Sequence, residues 1–296
     1  MCGIVGIYHK KEPACGDVYD ALIQVQHRGQ DAAGISTWDT EKILTHKYTG
    51  LVTEVFKHQK TFDKLVGNIG IGHVRYPTAG GDNVSEAQPF FTANPVNISL
   101  AHNGTLTNSE KLKEELIRIN FCQFNTNSDS EVLLKQFCYE LYKTNFRKLT
   151  KRHVYKALNK IFQKCTGGYA VVMIVAGIGL VAFRDPKGIR PLSLGKYKTS
   201  YLIASESSAI TAMGYDLESD IKPGQVVIID EQGDVDKKRP IKGSTNQPCL
   251  FEYVYFSRPD STIDKISVHK SRLRMGDFLG EKILSCLLYT SPSPRD

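Results

Sequence analysis

The order of apolar patterns along this 296-residue chain predicts an α+β layered domain. Three observations lead there. Strand-like runs crowd the segment before His102, helical periodicity then fills Asn108 to Lys164, and strand-like runs return from Tyr169 onward. A doubly wound sheet would instead alternate strand and helix.

Taken in order, Ile4 to Tyr8 reads as a buried strand, and Asp17 to His27 as a helix whose apolar positions are Val18, Leu22, Ile23 and Val25. Strands follow at Gly34 to Trp38, Ile43 to Tyr48, Ile69 to Arg75 and Ile98 to His102, with a Gly-rich polar loop from Thr78 to Gln88 between the last two. Helices are expected at Asn108 to Ile119, Ser130 to Tyr142 and Lys151 to Lys164. The second opens on Ser128-Asp129-Ser130-Glu131, which fits a capping box. Tyr169 to Phe183 is apolar but is broken by Gly177 and Gly179 and is shorter than the ~20 residues that cross a bilayer, so it reads as two paired strands rather than a membrane span. Further strands are placed at Tyr201 to Ala204 and Val226 to Ile229. The polar run from Asp230 to Gln247 reads as a linker, and a new apolar segment starts at Cys249.

Hydrophobic content of 41% and charged content of 23% belong to a globular chain that can bury a core. The net charge of +7 arises from 38 basic against 31 acidic residues scattered along the chain, so no basic tract marks a nucleic-acid partner. The N-terminus has no basic leader followed by a long apolar region, hence no export signal, and no membrane association is expected. Seven cysteines without a C-x-x-C pair suit neither a disulfide framework nor a zinc site; free thiols in a cytoplasmic, reducing compartment are expected.

The second position carries the chemistry. Gly3 and Cys2 are small enough for Met1 to be stripped, leaving a thiol and a free α-amine on one residue. An α-amine ordinarily titrates at about 7.7–8.0 against ~8.5 for a thiol, so it is then a base for its own nucleophile. An N-terminal thiol with no catalytic role is the alternative, and its company argues against it. Cys2-Gly3-Ile4-Val5-Gly6, Gln26-His27-Arg28-Gly29-Gln30-Asp31-Ala32-Ala33-Gly34, Gly72-His73-Val74-Arg75-Tyr76-Pro77-Thr78, His102-Asn103-Gly104 and Ser128-Asp129-Ser130-Glu131 occur in this order. Together they resemble the class II, N-terminal-nucleophile glutamine amidotransferases. Arg75-Tyr76-Pro77-Thr78-Ala79-Gly80, Phe183-Arg184-Asp185-Pro186-Lys187-Gly188-Ile189-Arg190-Pro191-Leu192 and Phe251-Glu252-Tyr253-Val254-Tyr255-Phe256-Ser257-Arg258-Pro259-Asp260 are similar to the branch of that superfamily that acts on phosphoribosyl pyrophosphate.

The resemblance implies a four-layer αββα sandwich of the N-terminal-nucleophile hydrolase type, followed by the start of an α/β phosphoribosyltransferase domain. It divides the chain into an amidotransferase domain (2–235), a linker (236–248) and the beginning of the second domain (249–285). It assigns the nucleophile to Cys2, the oxyanion donors to the Asn103 side chain and the Gly104 N–H, and the glutamine zwitterion to Arg75 and Asp129, with Thr78 and His73 lining the pocket. Each role has a physical rationale. A tetrahedral oxyanion needs fixed donors, an arginine fork grips a carboxylate, and a carboxylate takes an ammonium. Read without the resemblance, Asn103-Gly104 also suits a hairpin turn and Asp129 also suits the positive end of a helix. Tyr76 to Gln88 resembles a loop that closes over bound glutamine.

For the longer family members the resemblance implies phosphoribosyl pyrophosphate as second substrate, Mg²⁺ in the phosphoribosyltransferase domain, an internal route for ammonia, and assembly into a homo-oligomer. No acidic pair followed by a Gly/Thr-rich phosphate loop occurs here, so no metal is expected to bind this chain. Some family members carry an iron–sulfur cluster, and Cys249 lies where one ligand would be; a single cysteine defines no such site. A stand-alone N-terminal-nucleophile amide hydrolase and an inactive regulatory domain of the same fold are the alternatives. Cys286 to Asp296 reads as the translation of a sequencing adapter rather than native chain, from which the natural sequence is expected to continue beyond Ser285.

Overall fold

The computed structural model describes residues 2–76, 84–119 and 121–286. The chain opens with β1 (Gly3–Tyr8), α1 (Cys15–Gln24), β2 (Ala32–Trp38), β3 (Ile43–Thr49), α2 (Val52–Val55), α3 (Gln59–Lys64) and β4 (Ile69–Arg75). The middle holds β5 (Phe90–Thr92), β6 (Ile98–Leu106), α4 (Ser109–Arg118), α5 (Asp129–Tyr142) and α6 (Lys151–Lys164). Then come β7 (Gly167–Val175), β8 (Gly179–Arg184), β9 (Ser193–Tyr197), β10 (Ser200–Ala204), α7 (Ser207–Ala212), β11 (Asp216–Asp220), β12 (Val226–Asp230) and β13 (Val235–Lys238). A small hairpin of β14 (Thr262–Ile263) and β15 (Ile266–Ser267) leads into α8 (Val268–Cys286).

Among the described residues the strands form two large antiparallel sheets, ordered β11-β9-β10-β1-β4-β2-β3 and β13-β12-β8-β7-β6-β5. β7 shows why its sequence is apolar at every position. Val171, Met173 and Val175 face the helices, whereas Ala170, Val172 and Ile174 face the other sheet. A strand with both faces covered loses the polar half of the usual alternation. β1 behaves alike, with Val5 and Ile7 under α1 and Ile4 and Tyr8 between the sheets. The result is helix, sheet, sheet, helix: α1, α2 and α7 cover the first sheet, and α4, α5 and α6 the second. This is the αββα sandwich that the resemblance implies.

The expected strands and helices are present with ends shifted by a few residues, and four local differences stand out. Asn103-Gly104 makes no hairpin turn: both residues lie inside β6, paired with Ala170 and Tyr169. The helix expected to reach His27 stops at Gln24, and Gln26–Arg28 form a separate 3₁₀ turn that carries Arg28 into the interior. The capping box at α5 is half made. Ser128 accepts from Ser130 N at 3.3 Å, but the Glu131 carboxylate turns outward from the helix to take Asn125 N and Thr126 N. The run read as a linker carries β13, which pairs with β12 at the sheet edge. Of the loop Thr78 to Gln88, residues 78–83 lie outside the described residues, as does the adapter-like tail beyond Cys286.

Ile174 is fully buried between the two sheets, where neither layer can collapse onto a void without moving the other. Ile174→Ala is expected to lower unfolding stability by about 2–5 kcal/mol, read as a shift of the urea midpoint at unchanged slope.

Candidate active site

Cys2 stands just before β1 in the first sheet, and Asn103 lies in β6 of the second. The Cys2 backbone N donates to Asn103 Oδ1 at 3.1 Å, so the hydrogen bond crosses from one sheet to the other. That nitrogen is a peptide amide while Met1 is attached; after Met1 leaves, the same atom is the α-amine. Because Asn103 presents its oxygen to Cys2, its Nδ2 group points elsewhere. There it is buried with no hydrogen-bond partner among the described residues. An orphaned buried donor is costly in an ordinary core, and it suits a place where an oxyanion develops. The next residue has to be glycine. A Cβ on Gly104 would stand 2.1 Å from Gly168 O and 2.7 Å from Tyr169 Cα.

The Cys2 thiol lies 3.9 Å from Tyr76 O. Burial pushes its pKa up, opposed by a backbone hydrogen bond from Tyr76 and by the positive charges of Arg28 and Arg75. A raised thiol pKa leaves the group protonated near neutrality, so a base must take the proton before sulfur attacks. Among the described residues no histidine is hydrogen-bonded to Cys2. His73 is buried with both ring nitrogens unpartnered among the described residues, and burial drives its pKa down to about 3. His102 bonds Ser130 Oγ at 2.8 Å through Nδ1 and is likewise depressed by burial.

Arg75, at the end of β4, pairs with Asp31 at 2.6 Å. That carboxylate holds the guanidinium at the site from one side. Asp129, the first residue of α5, accepts from Leu106 N at 2.8 Å and keeps about a quarter of its side chain exposed. A cleft of about 1030 Å³ adjoins Tyr76, lined also by His27, Gln30, Asp31, Arg190, Cys249, Phe251, Tyr255 and Phe256. Of the residues expected at the site, Cys2 and Asn103 are in direct contact, Gly104 adjoins them, and Arg75 lies close enough to act on the thiol. His73 lies on β4 opposite Ile4, Asp129 on α5 reaches β6 through Leu106 N, and Thr78 lies outside the described residues.

The support beneath the nucleophile has no signature in the sequence. Arg28 is fully buried and donates to Cys2 O at 3.1 Å, to Glu206 at 2.5 Å and to Glu252 at 2.7 Å, with Phe256 stacked 4.8 Å away. Burial alone would lower its pKa, but the carboxylates of Glu252 and Glu206 raise it instead. Glu206 also accepts from His27 at 2.8 Å, Arg258 N at 2.9 Å and Ser261 Oγ at 2.9 Å. Burial would raise the Glu206 carboxyl, yet the His27 hydrogen bond and the Arg28 charge hold it well below the usual range. Arg28 is visible in the motif Gln26-His27-Arg28, but nothing in a linear sequence joins it to Glu206 and Glu252. The segment after Cys249 is thereby tied to the backbone of the nucleophile.

Known proteins resemble this chain in sequence and fold. Residues 73–212 match the family model described as "Glutamine amidotransferase domain". The chain is 48% identical over 288 residues to the amidophosphoribosyltransferase of Pseudomonas aeruginosa, covering 96% of this chain and 57% of that protein. It is 43% identical to the amidophosphoribosyltransferase of Saccharomyces cerevisiae, covering 97% of this chain and 58% of that one. The chain belongs to the amidophosphoribosyltransferase family. Its fold matches the solved glutamine phosphoribosylpyrophosphate amidotransferase of B. subtilis complexed with ADP and GMP, with a TM-score of 0.82 at 35% identity over 95% of this chain and 58% of that one. The chain thus spans a little over half the length of the family members it matches.

No helix of the described residues is long and apolar enough to cross a membrane. Among the described residues no three His, Cys, Asp or Glu side chains gather into a metal-binding group.

Glu206→Ala would leave Arg28 with half its countercharge inside the protein, and about 3–5 kcal/mol of stability is expected to go with it. Because the folded pKa of Glu206 is depressed, its contribution is fully present above the unfolded value of about 4.3 and is lost as pH falls towards the folded one. Urea unfolding at a series of pH values checks both parts: the variant should be weaker at pH 7 and should lose less stability than the parent on acidification below about pH 4.

Proposed function

We propose that the chain, once Met1 is removed, hydrolyses the side-chain amide of glutamine with Cys2 as nucleophile. The observation that carries this reading is the Asn103 amide: its oxygen holds the Cys2 nitrogen and its buried nitrogen has no partner among the described residues. The α-amine takes the thiol proton and sulfur attacks the amide carbon. The tetrahedral oxyanion receives hydrogen bonds from Asn103 Nδ2 and the Gly104 N–H. The ammonium returns the proton to the departing nitrogen, ammonia leaves, and a γ-glutamyl thioester remains. Water then cleaves the thioester to glutamate and the free thiol. Asn103 Oδ1 orients the amine throughout, and the depressed His73 and His102 stay neutral in the wall.

Arg75, steadied by Asp31, takes the glutamine α-carboxylate, and Asp129 takes its α-ammonium. His73 and Thr78 line the pocket. Ammonia released into the aromatic-lined cleft beside Tyr76 would pass to phosphoribosyl pyrophosphate, giving phosphoribosylamine and pyrophosphate, the first committed step of purine synthesis. The name shared by the relatives supports that destination, and any Mg²⁺ would belong with that second substrate. We further propose that residues 2–235 form the amidotransferase domain, that 249–285 begin the phosphoribosyltransferase domain, and that the longer protein works as a cytoplasmic homo-oligomer.

Glutamate release from glutamine tests the hydrolysis directly. Cys2→Ala should abolish it. Asn103→Leu should lower kcat about 10²–10³-fold with KM little changed, since the donor acts mainly on the oxyanion. Equal background rates in the parent and Cys2→Ala would refute the reading. Arg75→Lys keeps the charge but loses the fork and should raise the glutamine KM about tenfold or more; unchanged KM would remove Arg75 from the carboxylate.

A further inference from the structure

Gln88 is buried at the start of β5 and takes part in none of the steps above. The register of β5 on β6 pairs Phe90 with Leu100, Phe91 with Ser99 and Thr92 with Ile98. Carried back two residues, the ladder would set Gln88 opposite His102. The main chain does not continue it, because Pro89 has no N–H to give and the Gln88 carbonyl is turned towards β2, where a Cβ on Gly34 would stand only 2.1 Å from it. The Gln88 side chain fills the missing rung. Its Oε1 accepts from His102 N at 2.8 Å, and its Nε2 faces His102 O at 3.4 Å. The orientation of the amide is forced, since a backbone N–H can face only the oxygen. Asn103, the next residue, is therefore held by β7 on one side and by a side-chain peptide mimic on the other.

The same Nε2 donates to Ser130 Oγ at 3.0 Å, on the first turn of α5 and next to Asp129. Ser130 has one hydrogen of its own, and His102 Nδ1 at 2.8 Å is a better acceptor position than Asp129 Oδ1 at 3.4 Å. With that hydrogen pointed at His102 Nδ1, His102, kept neutral by burial, carries its proton on Nε2, a buried atom with no hydrogen-bond partner among the described residues. One amide thus joins the strand that bears the oxyanion donor to the helix that bears the candidate ammonium acceptor.

We propose that Gln88 is a positioning residue for glutamine hydrolysis, fixing Asn103 relative to Asp129 through the Gln88–Ser130–His102 network. This rests on the glutaminase reading. Gln88 does not touch the substrate; it acts through His102 and Ser130.

The test uses the Met1-free chain and two variants. Gln88→Leu removes every polar contact at similar size, and kcat for glutamine hydrolysis should fall at least tenfold while KM changes less than threefold. Gln88→Glu keeps the shape and the bond from His102 N but presents only acceptors to Ser130. The Ser130 hydrogen should turn to the new carboxylate, and His102 should move its proton from Nε2 to Nδ1. Imidazole ¹⁵N shifts read that exchange independently of turnover and of whether Gln88→Leu folds. A kcat for a folded Gln88→Leu within threefold of the parent would overturn the positioning role. A His102 spectrum unchanged in Gln88→Glu would overturn the network. If the parent itself shows no Cys2-dependent glutamate release, it is the glutaminase reading that fails, while the ¹⁵N result still decides the network.

Discussion

The hydrogen bond from Cys2 N to Asn103 Oδ1 is the constraint on which the rest of the site depends, because it is where the two sheets meet over chemistry. The first sheet brings the proposed nucleophile just before β1 and the Arg75 guanidinium on β4, the strand paired with it. The second brings the proposed oxyanion donors on β6, with Asp129 bound to the end of that strand through Leu106 N. Neither sheet holds a complete site. The sandwich packs them face to face over Ile4, Ile71, Ala101 and Val172, so the distance between sulfur and donor is set by core packing rather than by a loop. A close-packed interior resists small displacements, and a catalytic donor must be fixed before charge develops.

Beneath the nucleophile, Arg28 sits between two buried carboxylates and the Cys2 carbonyl. Such buried ion groups add little net stability, since desolvation offsets most of the attraction, but they tolerate few alternative arrangements. Here they tie three separate parts of the chain together: the 3₁₀ turn after α1, the start of α7, and the segment around Glu252. The backbone of Cys2 is consequently held from both sides, by Asn103 across the sheets and by Arg28 from behind.

Much of the architecture was legible because apolar period and covered faces coincide. Ile69–Arg75 and Lys151–Lys164 fall where the pattern places them, and the Tyr169–Phe183 run resolves into the two strands that Gly177 and Gly179 announce. Asn103-Gly104 departs from its local preference: the dipeptide favours a turn, but strand pairing with β7 prevails. β9, β11 and α7 escaped because short elements of mixed polarity carry no period of their own. The site followed the same division. Cys2, Asn103, Arg75 and Asp129 lie in recognisable motifs, whereas Glu206, Glu252 and Gln88 matter through contacts across 178, 224 and 14 positions of sequence respectively, which no linear pattern encodes.

The central claim is that Cys2 becomes a glutamine-directed nucleophile when its nitrogen is freed. Labelling with a glutamine analogue that carries a chloromethyl ketone in place of the side-chain amide, followed by peptide mass mapping of chains with and without Met1, tests this most directly. One adduct is expected, on Cys2 of the Met1-free chain, with chloride displaced. Cys15, Cys138 and Cys165, whose thiols burial pushes up to about 11, 12 and 12, should stay unmodified. Equal labelling of the chain that retains Met1, or a principal adduct on any other cysteine, would contradict it.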